Sequence, residues 1–323
     1  MSDWSADRLL GGFEAKTLEF PADYEGEVVA TLVRLPGGGA RRGAVLYVHG
    51  FVDYFFQRHM ALRFAQEGYA FYALDLRKHG RSLLAHQHPC FCKRIDEYYP
   101  EITRALEEIG EPVLLAGHST GGLICSLYAA EGECREQLRA LWLNSPFFEF
   151  NTGPLGRLQL RWAIALGKVT PFLNNPRALR REYVRSLHRS FGGEWDFDLN
   201  LKPELGFPAY FGWLAAVADA HARVHAGLSL PLPVLAMHSD EADIVLDWRD
   251  IARWSRTLGP RVSVLAFPGG LHDLVLSRGE VRDEVFTCHL TRQRPENFTM
   301  RRCRKKERRR RISVPCAAHT FAA

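Results

Sequence analysis

Five consecutive residues, Gly117-His118-Ser119-Thr120-Gly121, match the pattern Gly-x-Ser-x-Gly. In this pattern the serine lies on a sharp turn between a strand and a helix, and the small glycines let those two elements approach closely. The turn presents the hydroxyl clear of the sheet, where it can attack a carbonyl carbon. The segment lacks the Lys-Ser/Thr pair of a phosphate-binding loop. The pattern therefore makes Ser119 the candidate nucleophile.

A serine hydroxyl needs a histidine as base, and the histidine needs a carboxylate that orients it. Among the 13 histidines, His272 is the candidate base, because it lies in a Gly-rich loop after the last predicted strand. The acid should follow the preceding strand, where Asp240, Glu241 and Asp243 compete. Asp243 is preferred because the apolar pair Ile244-Val245 could anchor its loop under the histidine, and Asp240 remains the alternative.

Attack by the serine would create a negatively charged oxygen, which two backbone N–H groups must stabilise. One N–H belongs to the residue after the nucleophile, Thr120, and the other to a loop that follows an early strand. Phe51 occupies that second place, and Gly50 lets the backbone turn its N–H groups inward. The sequence thus predicts an oxyanion hole formed by Phe51 and Thr120, with each donor worth about 10²–10³ in rate.

The elements that must position these residues alternate between strand-like and helix-like segments. This alternation is typical of an α/β protein with a mostly parallel sheet and helices on both faces. The apolar strand Val113–Gly117 leads directly into the serine motif, and a helix over about Leu123–Glu131 follows it, as the motif requires. The other predicted strands are Glu27–Leu35, Ala44–Val48, Tyr69–Asp75, Leu138–Asn144, Val234–His238 and Val262–Phe267, and the other predicted helices are Gln57–Glu67, Glu101–Ile109, Trp248–Leu258 and one that begins near Glu280.

Regular alternation stops for about eighty residues after Ser145-Pro146. The interruption is rich in aromatic and basic residues, and Leu155, Leu158, Trp162 and Leu166 recur at helical spacing. The last helical pattern is lost at Cys288, as a change of reading frame would cause. The sequence predicts a first core part over residues 1–146, a helical cap over 147–230, a second core part over 231–287, and a basic, disordered tail over 288–323.

Charge and composition limit the classes of function. The formal net charge is +5, but residues 289–323 hold 11 lysines and arginines against two acids, so the rest of the chain is mildly acidic. The body therefore shows no bias towards nucleic acid or other polyanions. The N-terminus lacks the features of a secretory signal, and no apolar run approaches the ~20 residues of a membrane-spanning helix. Seven cysteines without paired spacing favour reduced thiols and a cytoplasmic protein, for which transient contact with a membrane surface stays open.

One segment, His86-Gln87-His88-Pro89-Cys90-Phe91-Cys92, has the residue types of a metal site. It offers four soft ligands, but alternate residues in such a loop do not readily converge on one tetrahedral ion. No second His/Cys cluster in the sequence completes the site. We therefore predict neither a metal nor a cofactor.

Taken in order along the chain, the motifs resemble those of the monoacylglycerol lipase and lysophospholipase-like α/β-hydrolases. The resemblance spans about residues 25–287 and rests on His49-Gly50, the segment Asp75–Ser82, the segment Gly117–Gly122, Asp243 and His272. It implies the α/β-hydrolase fold and hydrolysis of an acylglycerol or lysophospholipid ester through an acyl-enzyme, an activity of class EC 3.1.1, with a cap that controls entry. Lys78 departs from the pattern, since many relatives have glycine there.

The main prediction is therefore a serine hydrolase whose partner is a small-molecule or lipid ester. The same catalytic set could serve an acyltransferase, an amidase or peptidase, or a C–C bond hydrolase. A more remote alternative is a non-catalytic protein that binds polyanions through the basic tail. The sequence leaves open the acyl-chain length, the head group and the oligomeric state.

Overall fold

A nine-stranded sheet forms the centre of the molecule, for which a computed structural model describes residues 3–37, 42–176 and 180–292. Its strands are β1 (Ser5–Ala6), β2 (Glu14–Asp23), β3 (Gly26–Arg34), β4 (Ala44–Val48), β5 (Ala70–Asp75), β6 (Val113–His118), β7 (Leu138–Asn144), β10 (Val234–His238) and β11 (Val262–Ala266), and a separate small sheet contains β8 (Asn174–Asn175) and β9 (Ala209–Tyr210). The helices are α1 (Arg58–Gln66), α2 (Tyr99–Ile109), α3 (Thr120–Glu131), α4 (Pro154–Gly167), α5 (Arg181–Leu187), α6 (Phe211–His225), α7 (Trp248–Ser255) and α8 (Gly279–Arg292).

The strand order is β1-β2-β3-β5-β4-β6-β7-β10-β11. Six neighbouring strands, β5, β4, β6, β7, β10 and β11, pair in parallel. The strands β1, β2 and β3 add an antiparallel part at one edge. Every residue of β4 and β6 is buried, which explains their continuous apolar runs, because helices cover both faces of a parallel sheet. The predicted mostly parallel α/β sheet is thus confirmed.

The two faces of β6 belong to two separate apolar cores. Val113 and Leu115 pack into the core on one side of the sheet, whereas Leu114 and Ala116 pack into the core on the other side. This alternation follows from the two-residue period of a strand. It clamps β6 between helical layers and so fixes the position of the turn that carries Ser119.

Two predictions at the ends of the chain differ from the structure. The sequence analysis found no strand before residue 27, but β2 pairs with β3 along most of its length. Only Leu18 of β2 is buried, so this strand lacks the apolar alternation by which strands are recognised. At the other end, α8 continues past Cys288 to Arg292, because an established helix can propagate without an apolar face. The rest of the predicted tail, from residue 293, lies outside the described residues.

The segment between β7 and β10 carries α4, α5 and α6 and a small antiparallel sheet of β8 and β9. Helix α4 packs against α6, and α6 in turn contacts α3. A mostly helical insertion was predicted here, and the division at residues 147 and 230 stays a prediction. Within the described residues, no helix combines the length and the apolar character needed to cross a membrane.

Lys78, the residue that departs from the family pattern, adopts a φ of +62°, a conformation that favours glycine. Its side chain is fully buried, and its Nζ lies 2.9 Å from Oδ2 of Asp23 and forms a second ion pair with Glu25. Burial alone would raise the pKa of Glu25, but hydrogen bonds from Lys78 and His88 outweigh it and lower that pKa. The two carboxylates therefore supply ion-pair partners for the buried ammonium of Lys78.

We expect Lys78→Met to lower the free energy of unfolding by about 1–3 kcal/mol at pH 7, because it leaves two half-buried carboxylates without their cation. The folded-state pKa of Glu25 lies below its ordinary value of 4.5. The stability that Glu25 contributes is therefore present above pH 4.5 and is lost as the pH falls through the folded pKa. Urea unfolding at several pH values should show the gap between variant and wild type narrowing in acid. Lys93→Met, which removes an exposed ammonium over the Tyr24 ring, is the control; an equal loss in both variants would contradict the prediction.

Candidate active site

Ser119 lies at the turn between β6 and α3, with φ +51° and ψ −117°. A non-glycine residue at such angles is strained, so the surrounding structure must hold it there. The N–H of Ser119 donates to the carbonyl of Asn144 at 3.0 Å, and its own carbonyl accepts from Gly122 and Leu123 at 2.9 and 3.2 Å. These bonds tie the turn to β7 on one side and to α3 on the other.

The glycines of the motif are required by close backbone packing. A Cβ on Gly117 would lie 2.6 Å from the carbonyl oxygen of Gly121, and a Cβ on Gly121 would lie 2.3 Å from the carbonyl oxygens of Val48 and His49. Neither backbone can move without displacing a central strand. The pattern Gly-x-Ser-x-Gly is therefore explained by the approach of β4, β6 and α3 at this point.

The structure brings the predicted nucleophile, base and acid into one hydrogen-bonded chain. Oγ of Ser119 lies 3.0 Å from Nε2 of His272, and Nδ1 of His272 lies 2.9 Å from Oδ2 of Asp243. The three residues follow β6, β11 and β10, whose carboxyl ends meet at the same edge of the sheet. This is the geometry in which a histidine can take a proton from a serine.

Asp243 is held as a carboxylate by its surroundings. Its Oδ1 accepts the N–H groups of Val245 and Leu246 at 2.7 and 3.0 Å. Burial alone would raise the pKa of Asp243, but the charge and hydrogen bond of His272 and these N–H groups outweigh it and lower that pKa. An ionised Asp243 accepts the Nδ1–H of His272, which leaves Nε2 as the atom that faces Ser119.

The other two acid candidates lie elsewhere. Asp240 accepts the N–H groups of Ala242 and Gly269, both at 3.1 Å, and so joins the loops that follow β10 and β11. Glu241 is exposed and lies 3.6 Å from Arg249. The reason given for choosing Asp243 was wrong in part, because Ile244 is 37% exposed and does not anchor the loop.

The two predicted oxyanion donors border the same cavity as Ser119. Thr120 is the first residue of α3, and the first N–H groups of a helix have no acceptor within it. Phe51 follows Gly50, where an added Cβ would lie 3.2 Å from Cβ of Ser119, so this loop passes directly against the nucleophile. Their role as donors to an oxyanion stays a prediction.

His49 fixes the shape of the loop that carries Phe51, a role that the sequence analysis did not assign. Its Nε2 accepts the N–H of Leu76 at 3.1 Å, so its Nδ1 carries the proton and donates to the carbonyl of Gly50 at 2.8 Å. The histidine thus joins the loop after β4 to the loop after β5. The ring of Phe51 also stacks on that of Trp213 in α6, with centroids 4.0 Å apart.

The sequence analysis also missed an ion pair in the cavity wall. Nζ of Lys202 lies 2.7 Å from Oδ1 of Asp53, and the two residues are only 1% and 2% exposed. Asp53 lies two residues after Phe51, but Lys202 comes 149 residues later and carries no local signal.

His118 lies beside this ion pair. Burial and repulsion from His272 lower the pKa of His118 to about 3, so His118 is neutral at pH 7.

Asp53, His118 and Asp273 place potential metal-ligand atoms within 4.8 Å of one another. The ammonium of Lys202 already lies against Asp53 and also interacts with the charge of Asp273. A divalent ion would have to displace this lysine, so the residues fit an internal cation better than a metal. The expectation that no metal or cofactor is required stays a prediction.

The loop considered as a metal site in the sequence does not present thiolates. Burial raises the pKa of the thiols of Cys90 and Cys92 far above the ordinary value, so both remain protonated. Nδ1 of His88 pairs with Glu25. These side chains belong to the packing around Lys78.

Comparison with known proteins shows what the chain resembles. Residues 39–278 match the family model described as serine aminopeptidase, S33. No curated protein matches the chain in sequence. A soluble variant of monoglyceride lipase from Saccharomyces cerevisiae is similar in structure, with a TM-score of 0.68 and 18% identity, and the match covers 86% of this chain and 94% of that one.

Two further solved structures are similar. Monoacylglycerol lipase from Paleococcus ferrophilus has a TM-score of 0.63 at 20% identity, over 86% of this chain and 97% of that one. A thermostable carboxyl esterase from Bacillus coagulans has a TM-score of 0.61 at 17% identity, over 86% and 97% of the two chains. Because all three sequence identities are 20% or lower, the similarity of these structures shows that the fold is shared.

Proposed function

Since the chain belongs to the serine aminopeptidase family of α/β hydrolases, we propose that it hydrolyses carboxylic esters through an acyl-enzyme on Ser119. The observation that carries the proposal is the hydrogen-bonded chain Ser119–His272–Asp243, which opens on a cavity of about 670 Å³. A cavity of this size can hold a small lipid.

The reaction follows from the positions of these groups. Nε2 of His272 takes the proton of Ser119 as Oγ attacks the ester carbonyl, and the resulting oxyanion meets the N–H groups of Phe51 and Thr120. His272 then gives its proton to the alcohol oxygen, the C–O bond breaks, and the acyl group remains on Ser119. Water enters, gives a proton to Nε2 and attacks the acyl carbon. The bond between the acyl carbon and Oγ then breaks, the proton on Nε2 returns to Oγ, and release of the acid restores the serine.

The cavity lining favours an amphiphilic substrate. Phe147, Phe150, Leu160, Trp213 and Leu214 form an apolar part of the wall, which suits an acyl chain.

Other lining groups are polar. Oδ2 of Asp53 and the hydroxyl of Tyr183 are buried and have no hydrogen-bond partner within the described part of the chain. Buried polar atoms of this kind favour a ligand that supplies hydrogen bonds. We therefore propose a monoacylglycerol-type ester whose alcohol carries hydroxyl groups, with a lysophospholipid-type ester as the second choice.

An aminopeptidase is the other candidate, since the family description names one. It would need an anionic group to hold the amino terminus of a peptide. Asp53 is the one carboxylate among the described residues that line the cavity, but Lys202 already neutralises its charge. The ion pair thus favours a neutral alcohol over an ammonium group.

A substrate panel tests the proposal. We would compare a chain-length series of 1-acylglycerols with lysophosphatidylcholine and with aminoacyl p-nitroanilides at equal concentrations. Faster turnover of the acylglycerols, with an optimum in chain length, is expected. Faster turnover of the anilides would replace the esterase proposal with the peptidase, and a folded protein that cleaves none of them would overturn both.

A further inference from the structure

Asn144, the last residue of β7, supports the turn that carries Ser119. It is fully buried. Its carbonyl accepts the N–H of Ser119 at 3.0 Å and lies 3.2 Å from Nδ1 of His118. A carbonyl can only accept, so Nδ1 of His118 donates to it. The backbone of Asn144 therefore holds two adjacent residues of the serine motif.

The side chain of Asn144 binds the segment of residues 267–277, which carries His272. Its Nδ2 donates to Oδ1 of Asp273 at 2.7 Å, and its Oδ1 accepts the N–H of Leu274 at 3.1 Å. Asp273 and Leu274 directly follow His272. The amide thus uses a donor and an acceptor together, which neither an ionised carboxylate nor an apolar side chain of similar size can do.

Asp273 fixes the conformation of the chain just after His272. Besides the bond from Asn144, its Oδ1 accepts the N–H of Val275 at 3.1 Å and so caps the short 3₁₀ helix Leu274–Leu276. Asp273 is fully buried. Its carboxylate therefore joins β7 to a turn that begins one residue after the candidate base.

Other bonds hold the His272 segment without reaching the serine turn. Asp240 accepts the N–H of Gly269, and the hydroxyl of Ser239 donates to the carbonyl of Gly270. Within the described residues, Asn144 is the one residue outside both segments that hydrogen-bonds to each of them. It therefore sets the position of one segment relative to the other.

We propose that Asn144 and Asp273 are positioning residues that set the distance between Oγ of Ser119 and Nε2 of His272. The two triad members follow β6 and β11, and β7 and β10 lie between these strands, so the sheet does not pair them directly. Misplacing reacting groups by about 1 Å can cost about a hundredfold in rate. The link acts on proton transfer and leaves ester binding unchanged. The inference rests on the proposed function, of which this proton transfer is a step.

Two substitutions at Asp273 in the full chain test the link. Asp273→Ser is too short to reach Asn144, although its hydroxyl can still accept the N–H of Val275. Asp273→Asn keeps an oxygen for both bonds, and its amide nitrogen replaces Oδ2, which has no hydrogen-bond partner in the described part of the chain. On a short, water-soluble p-nitrophenyl ester, Asp273→Ser should lower kcat by about a hundredfold with KM changed by less than about twofold, and Asp273→Asn should recover most of that loss.

Asn144→Ala breaks the same link from the other side and should also lower kcat by about a hundredfold. The double variant Asn144→Ala/Asp273→Ser should lose little more than either single variant, because residues that act as a unit are not additive. Losses that multiply to about 10⁴-fold would show two independent roles and overturn the inference.

Thr103→Val is the control for lost stability. Its buried hydroxyl lies 2.8 Å from that of Tyr128, between α2 and α3 and away from the candidate site. It should lower the midpoint of thermal unfolding and keep kcat, with every rate measured well below that midpoint.

The wild-type rate separates this inference from the proposed function. An active wild type with full kcat in Asp273→Ser would reject the positioning role alone, as would equal losses in Asp273→Ser and Asp273→Asn. Absence of ester turnover in folded wild type would overturn the proposed function and this inference with it.

Discussion

Ser119→Ala is expected to lower kcat on the best ester by about a millionfold, because it removes the atom that attacks the substrate and the proton that His272 takes. The positions of Phe51 and Thr120 remain, so a small residual rate above that of water is expected. Steady-state kinetics on a 1-acylglycerol measures the loss. A fluorophosphonate probe should label wild type on the peptide that contains Ser119 and should not label the variant.

Ser126→Ala is the matched control, because Ser126 lies on α3, the helix that follows Ser119, and its hydroxyl donates to the carbonyl of Gly122 at 2.7 Å. It should keep full activity and full labelling. Labelling that persists in Ser119→Ala would show a different nucleophile. Failure of the probe to label folded wild type would remove the basis for an acyl-enzyme.

Local patterns were sufficient to predict the turn that carries Ser119, the proposed nucleophile. Five adjacent residues determine the conformation of the turn, because the close approach of β4, β6 and α3 excludes any side chain at Gly117 and Gly121. The apolar runs of β4 and β6 were equally informative because both faces of those strands are buried. In these places a few neighbouring residues determine both the element and its contacts.

Features that depend on distant partners could not be predicted. The Asp53–Lys202 pair joins residues 149 positions apart, and the sequence around each of them shows no motif that points to the other. Lys78 looked like a departure from the family pattern until the structure placed Asp23 and Glu25 around its Nζ. The choice between Asp240 and Asp243 likewise depends on the conformation of their loop. In that conformation the N–H groups of Val245 and Leu246 donate to Oδ1 of Asp243.

Asp243→Asn is expected to lower kcat by about 10⁴-fold while leaving the fold intact. The carboxylate accepts the Nδ1–H of His272, whereas an asparagine amide that donates to Nδ1 would favour the tautomer with its proton on Nε2. That tautomer cannot take the proton of Ser119. Asp240→Asn is the matched control. It should reduce kcat only slightly, because Asp240 accepts the backbone N–H groups of Ala242 and Gly269, and the side-chain oxygen of asparagine can accept them as well.

The pH dependence sharpens the test. The pKa of Asp243 is lowered from its ordinary 3.8, so its carboxylate stays charged at every pH above that value. Its contribution to stability is present above pH 3.8 and is lost only as the pH falls through the lower folded-state value. Loss of activity in wild type between pH 5 and 4 should therefore not be caused by protonation of Asp243. The rate deficit of Asp243→Asn should be present throughout pH 5 to 8, where the wild-type carboxylate is charged. A large loss in Asp240→Asn with little loss in Asp243→Asn would instead assign the role of acid to Asp240.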